Sequence, residues 1–246
     1  ATKVLYVESP GSLLMQMLDM PALAAFAKAH DLILIADNTW GSGLSYQPLS
    51  LGADVSVVAG TKYVGGHSDL MLGAVIAKDK AMADKIDACN YALGFSVSAD
   101  DAWLALRGVR TMPLRMRETA ANALKVCEAL SQWPEVKTIY HPAWKEDAYH
   151  ELWQRDATGS NGMLSFSLTI DSARARRFVN ALTLFGIGFS WGGFESLVQL
   201  VDKNSVASHS YWGHDNAVLL RLHIGLENVA DLIADLTRAF SLSLQK

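Results

Sequence analysis

With 246 residues, half of them hydrophobic, the chain is long enough to bury a sizeable core and sits near the size at which one core divides into two. Its 21 basic and 25 acidic side chains leave a net charge of -4, so no field draws it to nucleic acid or to a membrane surface, and neither partner is expected. Two cysteines, Cys89 and Cys127, lie in helix-like stretches without a CxxC or an even framework, which fits a reducing cytoplasm, and no apolar run reaches membrane-span length.

The chain opens directly in a buried-type strand, VLYV at 4–7, with no signal-like leader; such a start suggests a longer parent. Pro21 then opens a helix, PALAAFAKA, because proline suits a first helical turn. LILIA at 32–36, VSVVA at 55–59 and LGAVIA at 72–77 follow as strands. Continuous apolar character predicts strands covered on both faces, hence a mostly parallel sheet in an α/β domain. From Asp100 a helical pattern runs to about Trp133, with a bend predicted at Gly108 or before Pro113. VKTIYH, GMLSFSLT and LLRLHIG then read as strands, SARARRFVNALTLF and LENVADLIADLTRAF as amphipathic helices. The last places Leu226, Val229, Leu232, Ile233, Leu236 and Phe240 on one stripe and Asp231, Asp235 and Arg238 outside it. The expected division is an α/β part over 1–105 and an α+β part over 106–246 that includes the linking helix.

Two side chains stand where ligands of parallel sheets bind, at the carboxyl ends of strands: Asp37 after LILIA and Lys62 after VSVVA. Alone, Asp37 reads as a turn or cap residue and Lys62 as a solvated lysine. Together, an acid and an amine so placed can hold a pyridine ring, the acid at the ring nitrogen and the amine at an aldehyde carbon, which is the chemistry of pyridoxal phosphate. An amine following a wholly apolar strand is desolvated, which lowers its pKa and favours the neutral nucleophile. Thr61 adds a hydroxyl, and Gly65 and Gly66 let backbone approach a ligand.

Five ordered segments, YVESPGS at 6–12, DNTWGSG at 37–43, GTKYVGGHSDLMLG at 60–73, FSWGGFESL at 189–197 and LLRLHIGLENVADLIADL at 219–236, resemble the Cys/Met-metabolism family of pyridoxal-phosphate enzymes across nearly the whole chain. The resemblance implies that Lys62 binds the cofactor, that Asp37 pairs with the ring nitrogen, that Thr39 lies near the ring and that Thr61 holds the phosphate. Ala59 stands where many relatives have a phosphate-binding serine. Arg221 matches an arginine that grips the substrate α-carboxylate, for which a planar fork is suited, and Ser190 a serine that orients that carboxylate and the lysine. Trp191 makes the segment resemble the S-W-G-G of β-lyases rather than the S-L-G-G of γ-acting relatives; the alternative is that the indole only packs under Gly192 and Gly193.

The implied reaction is β-elimination of L-cystathionine to homocysteine, pyruvate and ammonia, in a cytoplasmic homotetramer of the complete protein. A γ-acting relative, a broader cysteine-S-conjugate lyase and an inactive packing piece remain alternatives. Complete relatives carry about 130 to 150 residues ahead of the equivalent of Ala1, a domain-scale segment. There the resemblance puts a phosphate-binding glycine turn, a ring-stacking tyrosine and a Tyr/Arg pair that reaches a neighbouring subunit. His209, His214 and His223 lack metal-site spacing, so no metal is expected, and His67 is read as support for the lysine loop. Arg107, Arg110, Arg115 and Arg117 are read as solvated or paired with acids.

Overall fold

A computed structural model describes residues 2–207, 212 and 217–244. Its first half runs β1 (Val4–Glu8), α1 (Met20–Ala29), β2 (Ile33–Asp37), β3 (Val55–Ala59), β4 (Gly73–Ala77) and α2 (Lys80–Leu93). The four strands lie in the order β1-β2-β3-β4, parallel except for β4, which runs antiparallel to β3. Asp19 caps α1 by accepting from the backbone N–H of Ala22, and proline occupies its first turn. The sheet is mostly parallel as the apolar runs imply, but it is not covered on both faces. β4 is exposed at four of its five residues and β1 at alternate ones, and α2 buries no residue.

The helical stretch predicted from Asp100 is two helices, α3 (Ala99–Val109) and α4 (Met112–Leu130), and the break falls between Gly108 and Pro113. The remainder is β5 (Val136–Tyr140), α5 (His150–Asp156), β6 (Met163–Leu168), α6 (Ser172–Ala181), β7 (Gly186–Ile187), β8 (Leu197–Leu200), α7 (Lys203–Val206), β9 (Val218–His223) and α8 (Val229–Leu242). Five strands form a second sheet in the order β5-β6-β9-β8-β7. Every residue of β6 and β9 is buried.

Two departures from the helix reading have local causes. Leu226 lies before α8, because Asn228 caps that helix by accepting from Ala230 N–H. Asp235 is buried, not outside: it accepts from the backbone N–H groups of Thr183 and Leu184, from the Thr183 hydroxyl and from Arg238. It thereby satisfies the chain just past α6, a demand that helix periodicity alone does not display.

Strand alternation in β9 explains how one element serves both a core and a site. Val218, Leu220 and Leu222 pack with Leu164, Phe166 and Leu168 of β6 against α4, α6 and α8. Leu219 belongs to a second cluster, with Leu34, Ala36 and Trp40 of the first half. Arg221 and His223, two and four residues on, share the Leu219 face.

Candidate active site

Register brings the acids together. β1 and β2 pair in parallel with Glu8 opposite Asp37, and β2 continues into β3 with Asp37 opposite Val57, so the carboxyl ends of three strands open along one edge. Asp37 Oδ1 accepts from the backbone N–H and the hydroxyl of Thr39, at 2.9 and 2.7 Å. Thr39 Oγ1 in turn accepts from Ala59 N–H at 2.9 Å, which ties the end of β2 to the end of β3. Thr39 therefore orients the acid and also lines the cleft that Asp37 shares with Glu8, Ser12, Trp40 and Trp191.

Lys62 rides on a helical turn after β3, in which Gly65 N–H donates to Gly60 O and Gly66 N–H to Lys62 O, each at 2.8 Å. Its Nζ donates to Ser190 Oγ at 2.8 Å and stands 5.3 Å from the centroid of the Trp191 ring. Burial, and then the positive charge of Arg221, hold the amine below the ordinary lysine pKa. More of it is neutral near pH 7 than of a surface lysine, as a nucleophile or general base requires. The loop carrying Ser190 can lie this close because Gly192 has φ +88° and a Cβ there would stand 3.0 Å from Lys62 backbone atoms. A second tie links the same loops: Ser68 Oγ donates to Glu195 Oε1 at 2.5 Å.

Arg221, buried in β9, donates to the carbonyl oxygens of Ser12, at 3.4 Å, and Phe189. Burial lowers its pKa and the nearby Glu8 charge opposes that. Trp191 joins the two parts of the site, lining the cleft with Asp37 while its ring lies beside Lys62 and 5.5 Å from the ring of Tyr63. It both packs against the lysine turn and walls the cleft. Of the seven residues singled out from the sequence, Thr61 stands apart: its hydroxyl donates to Leu72 O and its oxygen accepts from Leu72 N–H, at 3.2 and 3.0 Å, closing the loop between β3 and β4.

Sequence reasoning passed over Glu8 and Tyr63 and gave no place in the site to His223 or Arg115. Glu8 ends a strand beside Asp37, and burial raises its pKa, partly offset by a hydrogen bond from Ser12; Asp37 raises it further and Arg221 lowers it. The available signal was an acid closing an apolar strand, as at Asp37. Tyr63 is buried and its hydroxyl accepts from Gly162 N–H at 3.2 Å, fastening the lysine turn to the second sheet. His223 is buried behind it, its ring 6.0 Å from that of Tyr63. Arg115, expected on a solvated face or paired with an acid, is instead buried and donates to the carbonyl oxygens of Tyr63 and Gly108; Arg107, Arg110 and Arg117 are exposed. Gly66 correspondingly gives room to Arg115, whose Nη1 would lie 1.9 Å from a Cβ at that position, rather than to a ligand. His67 sits with Nδ1 2.8 Å from Gly65 O, inside the loop it was expected to support. His209 and His214 lie outside the described residues, among which no three metal-ligating side chains cluster. No helix among them is long and apolar enough to cross a membrane.

The donor set fits pyridoxal phosphate at two of its handles. A fixed carboxylate with acceptor capacity to spare suits a protonated ring nitrogen, and an amine with a depressed pKa suits an aldehyde. At the third, Thr61 has its hydroxyl hydrogen engaged with Leu72.

Comparison with known proteins agrees with this chemistry. The chain is 66% identical over 238 residues to the cystathionine beta-lyase of Bordetella avium, covering 97% of this chain and 60% of that protein. It is 39% identical over 246 residues to the cystathionine beta-lyase MetC of Escherichia coli K12, covering 98% and 62%. Among solved structures, the cystathionine gamma synthase of Xanthomonas oryzae pv. oryzae in complex with cystathionine superposes with a TM-score of 0.91 at 33% identity, over 98% of this chain and 64% of that one. The cystathionine gamma-lyase of Lactobacillus plantarum complexed with L-serine does so with a TM-score of 0.90 at 32% identity, over 99% and 65%. The chain thus spans about three fifths of the length of such relatives. A model of the Cys/Met metabolism PLP-dependent enzymes matches residues 1–241, and the chain belongs to that family.

Proposed function

We propose that the complete protein is a pyridoxal-phosphate-dependent carbon–sulfur lyase that eliminates homocysteine from L-cystathionine, leaving pyruvate and ammonia, as part of methionine biosynthesis. The observation that carries the reading is Trp191, which walls the cleft that contains Asp37 while its ring lies beside Lys62 Nζ, itself hydrogen-bonded to Ser190 Oγ. The names of the two beta-lyase relatives support the substrate and the bond broken.

When bound, the cofactor supplies an electron sink conjugated to the substrate Cα. Asp37, fixed by Thr39, holds a proton on the ring nitrogen and so maintains that sink. Arg221 offers its fork to the α-carboxylate. Lys62 would take the proton from Cα as general base and give it to the departing sulfur as the Cβ–S bond breaks and the Cα–Cβ double bond forms. Water then converts the released enamine to pyruvate and ammonia. Ser190 accepts from Nζ and so would fix the direction of the amine, and Trp191 would limit the room beside the substrate side chain.

Lys62→Ala in the complete protein is expected to lower pyruvate release by about a thousandfold or more and to remove borohydride-stable attachment of the cofactor. Unchanged turnover in that variant refutes the assignment. A γ-acting reading is favoured by the names of the two solved structures, and 2-oxobutyrate in place of pyruvate would establish it. For this chain alone, cofactor titration separates a binding unit from a piece that only packs. The reading further places the division between a cofactor-holding part and a C-terminal part near residue 105, and the complete protein in the cytoplasm as a homotetramer; sedimentation analysis of the complete protein tests the assembly.

A further inference from the structure

Arg115 is a buried cation, 7% exposed, that makes no ion pair among the described residues. Its Nη2 donates to Tyr63 O at 2.9 Å and to Gly108 O at 2.8 Å, its Nε donates to Thr111 Oγ1 at 3.1 Å, and its Nη1 is buried with no hydrogen-bond partner. Burying a guanidinium without a counter-ion carries a large desolvation cost. A core needs no such group, since an apolar side chain of equal volume would fill the space more favourably.

The cation gathers the Tyr63 carbonyl of the turn that bears Lys62, the Gly108 carbonyl at the end of α3 and the Thr111 hydroxyl just before α4. Within the lysine turn Gly65 N–H donates to Gly60 O and Gly66 N–H to Lys62 O, and the Tyr63 carbonyl accepts from the guanidinium. Two glycines make the approach possible. Gly66, at φ +72°, would drive a Cβ to 1.9 Å from Arg115 Nη1, and a Cβ on Gly108 would stand 2.3 Å from Val64 O and 2.4 Å from Gly65 O. The end of α3, the start of α4 and the lysine turn thus close on one another around a single guanidinium.

We propose that Arg115 is a positioning residue for Lys62, holding the lysine turn so that Nζ is directed at Ser190 and the cleft. The proposal rests on the role assigned above to Lys62. Nothing in it requires Arg115 to touch substrate or cofactor.

The test uses the complete holoenzyme. Arg115→Met keeps volume without charge and Arg115→Lys keeps charge without the fork; both are expected to lower kcat about tenfold or more while KM stays within about twofold. In the apoproteins, the rate at which Lys62 is trapped by pyridoxal and borohydride, read by mass spectrometry, is expected to fall in parallel. Asp235→Asn serves as a control, since it loosens the end of α6 against α8, where Asp235 bonds Thr183, Leu184 and Arg238 and no residue of the lysine turn, and should leave kcat per folded molecule unchanged. Gly66→Ala presses on the guanidinium from the other side and should reproduce the loss, which keeps the proposal testable if Arg115→Met fails to fold. Wild-type trapping and kcat in the Arg115 variants, or a kcat loss in the Asp235→Asn control that matches theirs, overturns it. Retained turnover in Lys62→Ala would instead overturn the function on which it rests.

Discussion

β4 and β9 are both apolar strands, GAVIA and VLLRLH, yet they end in opposite environments. Leu220 and Leu222 of β9 are fully buried, whereas Val75 and Ile76 of β4 are 48% and 41% exposed. β9 lies between β6 and β8, with helices over one face and the first half of the chain against the other. β4 is an edge strand. An apolar run therefore specifies a strand, but what it buries depends on the layers that cover it. The site lies at the junction of the two regimes: Lys62 and Asp37 come from the open half and Arg221, Ser190 and Trp191 from the closed one.

The largest expected effect puts that contrast on an energy scale. Phe166, fully buried in β6, is expected to cost about 3–5 kcal/mol when truncated to alanine in this chain. Val75→Ala in β4 is expected to cost less than about 1 kcal/mol, because so much of the side chain already meets water. Urea unfolding of both variants measures the difference. Equal losses would mean that the two sheets do not differ in the way their burial suggests.

Acid offers a second approach, because two buried histidines belong to the closed half. His141 accepts from Ala143 N–H through Nδ1, at 3.1 Å, and burial holds its pKa down at about 4. His223 is likewise held at about 4, chiefly by burial. Between the ordinary value of 6.5 and about 4 the unfolded chain binds a proton at each site that the folded chain refuses. Stability is thus complete above the upper value and falls as pH drops through the window, by about 1.4 kcal/mol per unit for each histidine. His141→Gln should halve the slope attributed to the pair. A slope unchanged by that substitution would show that His141 protonates without unfolding.

How much of this was legible follows from what each signal encodes. Strand runs and the helix break near Gly108 come from local chemistry, and so does the Asp37 to Lys62 spacing at strand ends. Arg115 and Asp235 were misread because their partners are backbone groups of distant segments: the Tyr63 carbonyl for one, the N–H groups of Thr183 and Leu184 for the other. A helical wheel assigns charged residues to the solvent side, and only the fold reveals which carbonyls or amides need them. Glu8 escaped notice for a related reason, since its significance lies in a register with Asp37 that exists only once β1 and β2 pair. Cover of both sheet faces was inferred from apolarity, which cannot report whether a layer is present.

Asp235 provides a smaller test on the closed side. Asparagine at that position keeps one acceptor oxygen for groups that now use two, and loses the charge beside Arg238. A loss of about 1–3 kcal/mol is expected. Hydrogen exchange at the Thr183 and Leu184 amides should accelerate together, tying the loss to the end of α6 and not to the helix as a whole.

The smallest effect is expected where the open half is most apolar. Tyr91 on α2, 90% exposed, already faces water, so Tyr91→Ser should change the stability of this chain by no more than about 0.5 kcal/mol, whereas Ile76→Ser on β4, 41% exposed, should cost about 1–2 kcal/mol. Their consequence should appear in association instead. An edge strand with unpaired backbone groups and exposed aliphatic side chains invites a second surface, and an exposed tyrosine near Leu93 and Phe95 extends that apolar area. Light scattering at rising protein concentration should therefore show weaker self-association for both variants than for the parent chain. If either serine instead cost several kcal/mol in urea unfolding, the side chain would have to be buried in solution, and the contrast between β4 and β9 would fail at its exposed end.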